Sequence, residues 1–237
     1  IMNDLISIVV PVYNCSNRLG QFHKAVMNQS INNYELIYID DFSSDNSLDV
    51  LLGFENDRCK VLRNVENLGA GVARNKGLAQ AKGKYICFLD SDDFIEEEYL
   101  NKLYQAIIES GSDIVVCNYQ VIDEHTKEII SETNFEPKNY TGLETLNILV
   151  KNKFNPAPWN KLYKRSLFID NGIEFALGIA HQDFATMPLV MERSNKITVI
   201  SDVLYNYVQN SDGYSLTGTE IHTYSIFKAF KILHEHF

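Results

Sequence analysis

The chain has 237 residues, of which 45% are hydrophobic, and it carries a formal net charge of −10. A chain of this kind can bury a substantial core, as one large domain or as two fused halves. The acidic charge argues against a nucleic-acid partner, because binding to phosphate backbones needs a basic face. No apolar run approaches the roughly 18 residues that cross a membrane.

The amino terminus does not show the basic-then-apolar order of a signal peptide. Together with the lack of a membrane-spanning run, this order predicts a cytoplasmic protein without a transmembrane segment. Peripheral association with the inner face of the cytoplasmic membrane stays open, because one local basic patch is compatible with the acidic total charge.

The first half of the chain alternates between β-branched runs and helix-compatible segments. The predicted strands are Ile6–Val12, Leu36–Asp40, Lys60–Arg63, Tyr85–Leu89 and Asp113–Tyr119. The predicted helices are Ser47–Phe54, Gly71–Ala81 and Glu97–Glu109. This alternation predicts a Rossmann-like α/β fold, with a mostly parallel sheet covered by helices on both faces. Ligands of such sheets bind at the carboxyl ends of the strands.

The second half is less regular and predicts a smaller, irregular part of the same molecule. A hairpin is predicted over Val121–Glu132, and a strand over Ile197–Tyr207. The predicted helices are Thr141–Lys151, which starts with a capping box of Thr141 and Glu144, Asp183–Met191 and Glu220–Phe237. Gln209–Gly218 is predicted to be a loop. The last helix ends without a cap, which leaves open that the chain is a fragment of a longer protein.

Three carboxylates, those of Asp90, Asp92 and Asp93, directly follow the fourth predicted strand. Like charges this close repel one another unless a cation lies among them. Mn²⁺ or Mg²⁺ with oxygen ligands would neutralise them and recruit a substrate phosphate. The alternative is a capped helix start, with Ser91 or Asp92 capping a helix that begins near Glu96. The position at a strand end favours the metal site.

Two further features lie at the same predicted edge of the sheet. Asp40 and Asp41 close the second strand, and an ionised carboxylate there would accept a hydrogen bond from a nucleobase imide such as uracil N3–H, or orient a ribose. The alternative is a solvated turn or a helix N-cap. Residues 67–77 form a glycine-rich helix start, whose free N–H groups and dipole favour an anion, with Arg74 and Lys76 as added cations. The alternative is a closely packed loop with a surface arginine.

A separate acid lies in the second half of the chain. Asp183 follows His181 and Gln182 and precedes an apolar helix, so it is either an N-cap or a general base that reaches a hydroxyl proton. His181 is a second candidate for the base. Trp159, the single tryptophan, suits a core, although an aromatic face can also hold a sugar ring.

Four segments occur in the order and at the spacing found in one large family. They are Ser7–Asn14, Ile39–Ser47, Asn67–Gly77 and Phe88–Asp93. The chain resembles the family 2 glycosyltransferases, bacterial inverting enzymes with the GT-A fold that use nucleotide sugars. The resemblance is specific over roughly residues 5–118 and continues more weakly through residues 159–165 and the segment around Asp183.

The resemblance implies roles for individual residues. Those implied to bind the nucleotide are Pro11, Tyr13, Asp41, Arg74, Asp90 and Ser91. Asp92, the second acid of the DxD motif, would hold Mn²⁺ or Mg²⁺ at the diphosphate, and Asp183 would be the catalytic base. Trp159 and His181 are candidates for the acceptor side. Gln182 replaces the first acid of the family's Glu-Asp pair, and Phe42 stands where glycine is common, so the turn there is expected to differ.

The resemblance also implies a layout and a reaction. Residues 1–120 would bind the nucleotide sugar, and residues 121–237 the acceptor, within one GT-A domain. A sugar would pass from a nucleotide-sugar donor, with UDP-sugar favoured, to a hydroxyl of a glycan or lipid-linked acceptor. Metal-assisted single displacement would invert the anomeric configuration. Two alternatives stay open, a non-catalytic nucleotide-sugar or carbohydrate-binding module, which Gln182 favours, and a sugar nucleotidyltransferase.

Overall fold

A computed structural model describes residues 4–150, 155–209 and 220–236, which contain ten strands and eight helices. The strands are β1 (Ile6–Val12), β2 (Tyr34–Asp40), β3 (Cys59–Arg63), β4 (Tyr85–Phe88), β5 (Phe94–Ile95), β6 (Ile114–Asp123), β7 (Ile129–Glu132), β8 (Asn139–Tyr140), β9 (Lys161–Lys164) and β10 (Ile197–Gln209). The helices are α1 (Ser16–Met27), α2 (Ser47–Leu52), α3 (Ala70–Gln80), α4 (Tyr99–Ser110), α5 (Gly142–Val150), α6 (Ser166–Ile169), α7 (Gln182–Glu192) and α8 (Glu220–His236).

The strands and helices predicted from the sequence are all present, with ends that differ by a few residues. The hairpin forms from β6 and β7, which pair antiparallel. The capping box at α5 is confirmed, since Thr141 N–H donates to Glu144 Oε2 at 2.7 Å and Glu144 N–H donates back to Thr141 Oγ1 at 3.3 Å. The predicted loop Gln209–Gly218 lies outside the described residues except for Gln209. The sequence does not predict α1, α6, β5, β8 or β9.

One sheet runs through the molecule in the order β3-β2-β1-β4-β9-β6-β10-β5, with β7 on β6 and β8 on β10. The first four strands pair in parallel, so that β1, β2, β3 and β4 end at the same edge. β9 lies between β4 and β6 and runs antiparallel to both. The nucleotide-binding and acceptor-binding halves expected from the sequence therefore contribute to one sheet, and the boundary between them stays a prediction.

Alternate residues of the strands pack into two hydrophobic cores, one on each face of the sheet. Ile8 of β1 belongs to a core with Leu19 and Phe22 of α1, whereas its neighbour Val9 belongs to a core with residues of α3 and α7. Each fully buried side chain of this size contributes about 1.5–3 kcal/mol. The predicted helical layers on both faces are confirmed. Among the described helices, none is long and apolar enough to cross a membrane.

Helix α3 lies unusually close to the sheet because of one glycine. A Cβ on Gly77 would stand 2.3 Å from Val9 Cγ1 and 2.9 Å from Ile39 Cδ1. Without that atom, α3 rests directly on β1 and β2, and its amino-terminal turn reaches the edge where these strands end. The glycines of residues 67–77 thus serve packing as well as the helix start.

We expect Gly77→Ala to lower the free energy of unfolding by about 1–3 kcal/mol, because the new methyl group overpacks the α3–sheet contact. Gly20→Ala is the matched control. Gly20 lies inside α1 with no atom within 4 Å of the Cβ position, so alanine there should raise stability by about 0.5–1 kcal/mol. Urea unfolding measures both changes, and equal effects of the two variants would contradict this packing.

Candidate functional site

A cleft with two adjoining chambers opens at the carboxyl ends of the parallel strands. The first chamber, of about 580 Å³, lies between residues 67–72 and residues 176–182. The second, of about 390 Å³, lies between the ends of β1 and β4 and the start of α7. Five residues line both chambers: Tyr13, Asp41, Ala70, Ala180 and Gln182.

Asp41 organises the wall of the first chamber. Its Oδ1 accepts hydrogen bonds from Asn64 Nδ2 at 2.7 Å and from Leu68 N–H at 3.0 Å, and its Oδ2 accepts from Gly69 N–H at 2.7 Å. The carboxylate is 3% exposed, so the alternative of a solvated turn is wrong. An ionised oxygen has two lone pairs, and Oδ2 therefore retains acceptor capacity toward the cleft that Asp41 lines.

The turn after β2 keeps a left-handed backbone without glycine. Phe42 has φ of 62°, a conformation that costs a side chain about 1–2 kcal/mol. The guanidinium of Arg63 lies 5.0 Å from the Phe42 ring centroid and also pairs with the buried Asp40 at 3.2 Å. Glycine adopts a left-handed backbone of this kind at little cost. The expectation that this turn differs from the usual turn of the family stays a prediction.

The glycine-rich segment, which Asp41 holds through Leu68 and Gly69, forms this wall of the first chamber. Gly69 has φ of 87°, and α3 begins after it without a side-chain cap. Gly71 lets another loop approach, because a Cβ there would stand 2.8 Å from the carbonyl oxygen of Ala176. The uncapped first turn of α3 is a place where an anion would be stabilised by the helix dipole.

Arg74 is a buried cation with unused hydrogen-bonding capacity in the second chamber. Its side chain is 4% exposed, and Nη2 donates to Asp90 Oδ1 at 2.5 Å. The guanidinium lies 5.6 Å from the Phe175 ring centroid. Within the described part of the chain, Nε and Nη1 have no hydrogen-bond partner. The alternative of a surface arginine is wrong, and the two remaining donors suit an anion in the chamber.

Asp92 differs from its neighbours in being half exposed, at 52% of its side chain. Partial burial in the cleft, followed by the charge of Asp90, raises the pKa of Asp92. Arg18 lies 3.8 Å away and also pairs with Glu124 at the tip of the β6–β7 hairpin. This carboxylate is therefore the one at the sheet edge that still faces solvent with only a loose cationic contact.

Asp93 and Ser91 are tied into the structure instead. Asp93 accepts from Tyr205 Oη at 2.6 Å and from Val208 N–H at 2.8 Å. The Cys15 thiol donates to Ser91 Oγ at 3.2 Å, and burial raises the pKa of Cys15 to about 11. Helix α4 begins only at Tyr99, after the short strand β5. The alternative that Ser91 or Asp92 caps a helix near Glu96 is wrong.

The donor set at Asp92 fits a divalent cation that completes its shell from a ligand. Among the described residues, no group of three or more His, Cys, Asp or Glu side chains is arranged to hold a metal ion. Mg²⁺, however, is commonly bound by one or two carboxylates together with substrate phosphates. A half-exposed carboxylate in the same chamber as Asp90 has the chemistry for this arrangement. The metal itself stays a prediction.

The start of α7 brings three polar residues to the second chamber. His181 occupies the N-cap position, and Gln182 and Asp183 are the first two helical residues. Asp183 is thus not the N-cap, and its Oδ1 accepts from Phe184 N–H at 2.9 Å. Gln182 is 6% exposed, and its Oε1 has no partner within the described residues. Pro188 lies inside the helix without ending it.

Lys161 is a buried residue near this site that the sequence does not predict. Its Nζ donates to Asn155 O at 3.1 Å, to Ala157 O at 2.6 Å and to Asn160 Oδ1 at 2.6 Å. Burial lowers the pKa of Lys161 to about 7, while Cys117 and Asp183 act in the opposite direction. Lys161 begins the short strand β9, and nothing in the surrounding sequence indicates that its side chain is buried.

Trp159 lies in the core rather than along the cleft. Its ring stacks on Tyr205 with centroids 4.3 Å apart and meets Tyr119 edge-on at 4.7 Å. Only 5% of the residue is exposed, which leaves little ring surface for a sugar. An acceptor role for Trp159 stays a prediction that this burial does not favour.

The other residues predicted for the site come together. The second chamber is lined by Pro11, Tyr13, Asp41, Arg74, Asp90, Ser91, Asp92, His181 and Asp183. Their roles stay predictions, but their convergence brings strand-end acids, a buried arginine and a separate acid into one cleft. Such a cleft can bind an anionic ligand and present a carboxylate to it from the side of α7.

Comparison with known proteins identifies the family. Residues 7–172 match the family model described as Glycosyl transferase family 2, and the chain belongs to this family. Glycosyltransferase GlyG of Streptococcus pneumoniae is 34% identical over 220 residues, which are 89% of this chain and 72% of GlyG. The poly(ribitol-phosphate) beta-glucosyltransferase of Bacillus spizizenii is 35% identical over 88% of this chain but only 33% of its own length.

Solved structures confirm the fold. The structure of residues 1–349 of S. aureus TarS in complex with UDP-GlcNAc superimposes with a TM-score of 0.80 and 23% identity, over 96% of this chain and 66% of that TarS fragment. The GT-A fold expected from the sequence is thereby confirmed. The chain spans between about a third and three quarters of the length of these relatives.

We expect Asp41→Asn to lower the free energy of unfolding by about 2 kcal/mol. Whichever carboxylate oxygen becomes an NH₂ group, it faces at least one N–H donor and loses a charge-assisted hydrogen bond. Asp49→Asn, on the exposed side of α2, is the control and should change stability by less than about 0.5 kcal/mol. Urea unfolding measures both, and an Asp41→Asn variant as stable as the control would contradict the described network.

Proposed function

We propose that this chain transfers a sugar from a UDP-sugar to a hydroxyl of a glycan or lipid-linked acceptor. The observation that carries the proposal is the second chamber, where buried Arg74, half-exposed Asp92 and the separate acid Asp183 line one cleft. Family membership supports a glycosyltransferase. The complexes of TarS with UDP and with UDP-GlcNAc, on the same fold, support UDP as the nucleotide.

In this proposal the nucleotide spans both chambers. The base lies in the first chamber beside Tyr13, whose ring is half exposed, and Asp41 accepts its imide N–H. The diphosphate lies in the second chamber, where the two unused donors of Arg74 pair with its oxygens. Because Arg74 already contacts Asp90, the guanidinium of Arg74 is held in place before the ligand binds.

Asp92 would hold the divalent cation, Mn²⁺ or Mg²⁺. When bound, such an ion neutralises the negative charge that develops on a departing nucleoside diphosphate. Asp90 pairs with Arg74 and so does not take this role. In the DxD motif, Asp90 would orient the nucleotide and Asp92 would bind the metal ion.

Asp183 would act as the base. It accepts the proton of the acceptor hydroxyl while that oxygen attacks the anomeric carbon, and the bond from that carbon to the diphosphate oxygen breaks in the same step. One displacement inverts the anomeric configuration. His181 lines the same chamber and is the second candidate for the base.

The competing function is a module that binds nucleotide sugars without turnover. Gln182 favours it, because the family's first acid is absent there. We rank it second because Asp183 is retained and faces the same chamber as Asp92. The acceptor class and a location at the inner face of the cytoplasmic membrane belong to the proposal as well.

We expect UDP with Mn²⁺ to raise the melting temperature of the wild-type protein by about 5 °C at a hundredfold excess over Kd, by mass action. Asp92→Asn should lose the Mn²⁺-dependent part of this shift and keep a smaller one from UDP alone. Asp202→Asn, which removes a surface partner of Lys102 far along β10, is the control and should respond like the wild type. A full Mn²⁺ response in Asp92→Asn would contradict the metal assignment. Extending the screen to several UDP-sugars would identify the donor.

We expect Asp183→Asn to retain UDP binding and to lower sugar transfer at least a hundredfold, because a neutral amide cannot take the acceptor proton. Transfer is measured as UDP release with a panel of oligosaccharide and lipid-linked acceptors. His181→Gln is the matched variant and should keep transfer within tenfold of the wild type. The reverse pattern would assign the base to His181, and full transfer by both variants would refute the proposed chemistry.

A further inference from the structure

Gln182 occupies a distinctive place in the cleft. It is one of the residues that line both chambers, and it is 6% exposed. Its side chain lies close to the backbone of Gly71, since a Cβ built there would stand 3.4 Å from Gln182 Cγ and 3.5 Å from Gln182 Cβ. Its own carbonyl accepts from Thr186 Oγ1 at 2.7 Å, which anchors the first turn of α7.

The amide of Gln182 is unusual among buried polar groups in lacking a partner for its oxygen. Within the described residues, Oε1 is inaccessible to water and accepts no hydrogen bond. Buried polar groups are nearly always paired, because losing water without a replacement costs stability. A buried acceptor at the wall of a ligand cleft can take its partner from the ligand once the amide turns toward the cleft.

Gln29 shows how this fold satisfies a glutamine that serves structure. It is 4% exposed, much like Gln182. Its Nε2 donates to Glu96 O at 2.8 Å, and its Oε1 accepts from Leu100 N–H at 2.9 Å. The contrast indicates that the unpaired acceptor of Gln182 is a feature of the cleft rather than of glutamine packing in general.

The neutral charge of Gln182 also matters. Four carboxylates already line the second chamber, those of Asp41, Asp90, Asp92 and Asp183, around the place proposed for a diphosphate. A fifth carboxylate would add repulsion toward that ligand. An amide supplies an acceptor oxygen without another negative charge. It can therefore accept a hydrogen bond from a ligand hydroxyl close to several carboxylates.

We propose that Gln182 binds the donor directly, by accepting a hydrogen bond from one of its hydroxyl groups, and so contributes to donor selection. This inference rests on the proposed function. A nucleotide sugar carries hydroxyls on the ribose and on the transferred sugar. Both have the required chemistry, and comparing UDP with UDP-sugars separates them.

The test replaces the amide with an apolar chain of similar length, Gln182→Met, with Gln29→Met as the matched control. Gln182→Met should keep or slightly raise the melting temperature of the free protein, because it removes an unpaired polar atom. Gln29→Met should lower the melting temperature by several degrees, because it breaks three side-chain hydrogen bonds. If Gln182 had a merely structural role, both substitutions would lower the melting temperature.

Calorimetric titration with UDP, UDP-glucose and UDP-GlcNAc in Mn²⁺ then measures affinity. Gln182→Met should bind about three- to tenfold more weakly, whereas Gln29→Met, where folded, should bind like the wild type. Weaker binding of all three ligands identifies a ribose hydroxyl, and weaker binding of a UDP-sugar alone identifies the transferred sugar. Unchanged affinity for every ligand overturns the inference. Failure of the wild type to bind UDP would instead overturn the proposed function.

Discussion

Repulsion among carboxylates that the parallel strands bring to one edge is the constraint on which the cleft depends. The fold offsets this repulsion in a different way for each acid. Asp40 and Asp90 are each paired with an arginine, and Asp41 accepts N–H groups from Asn64, Leu68 and Gly69. Asp92 retains a half-exposed side chain, with Arg18 at 3.8 Å. Among the described strand-end acids, Asp92 is therefore open to a cation that would relieve the repulsion.

Sequence patterns predict the first half of the fold well, because its strands are β-branched runs buried on both faces. Sequence patterns miss the helices and strands that are stabilised mainly by residues distant in the chain. Helix α1 is missed although Leu19, Phe22 and Val26 lie on one buried face, because Ser16, Asn17 and Gly20 at its start are weak helix formers. Strand β9 is missed because lysines lie at both of its ends, one of them fully buried.

The site, too, has features that the sequence predicts and features that it does not. Strand-end acids and the glycine-rich helix start follow from local spacing, so their convergence could be predicted. Contacts that join residues about 100 positions apart could not, as in the pairing of Arg18 with Glu124 or of Asn75 Nδ2 with Phe175 O at 2.9 Å. Nor does a sequence reveal that one buried amide is left unpaired, since that depends on every neighbour at once.

The central place of β9 has an evolutionary consequence. Its backbone pairs with β4 on one side and with β6 on the other, so a segment late in the chain completes the middle of the sheet. A gene segment exchanged near residue 120 would have to bring a strand whose edges match both β4 and β6. The pairing of β9 therefore restricts which halves of related chains can be recombined.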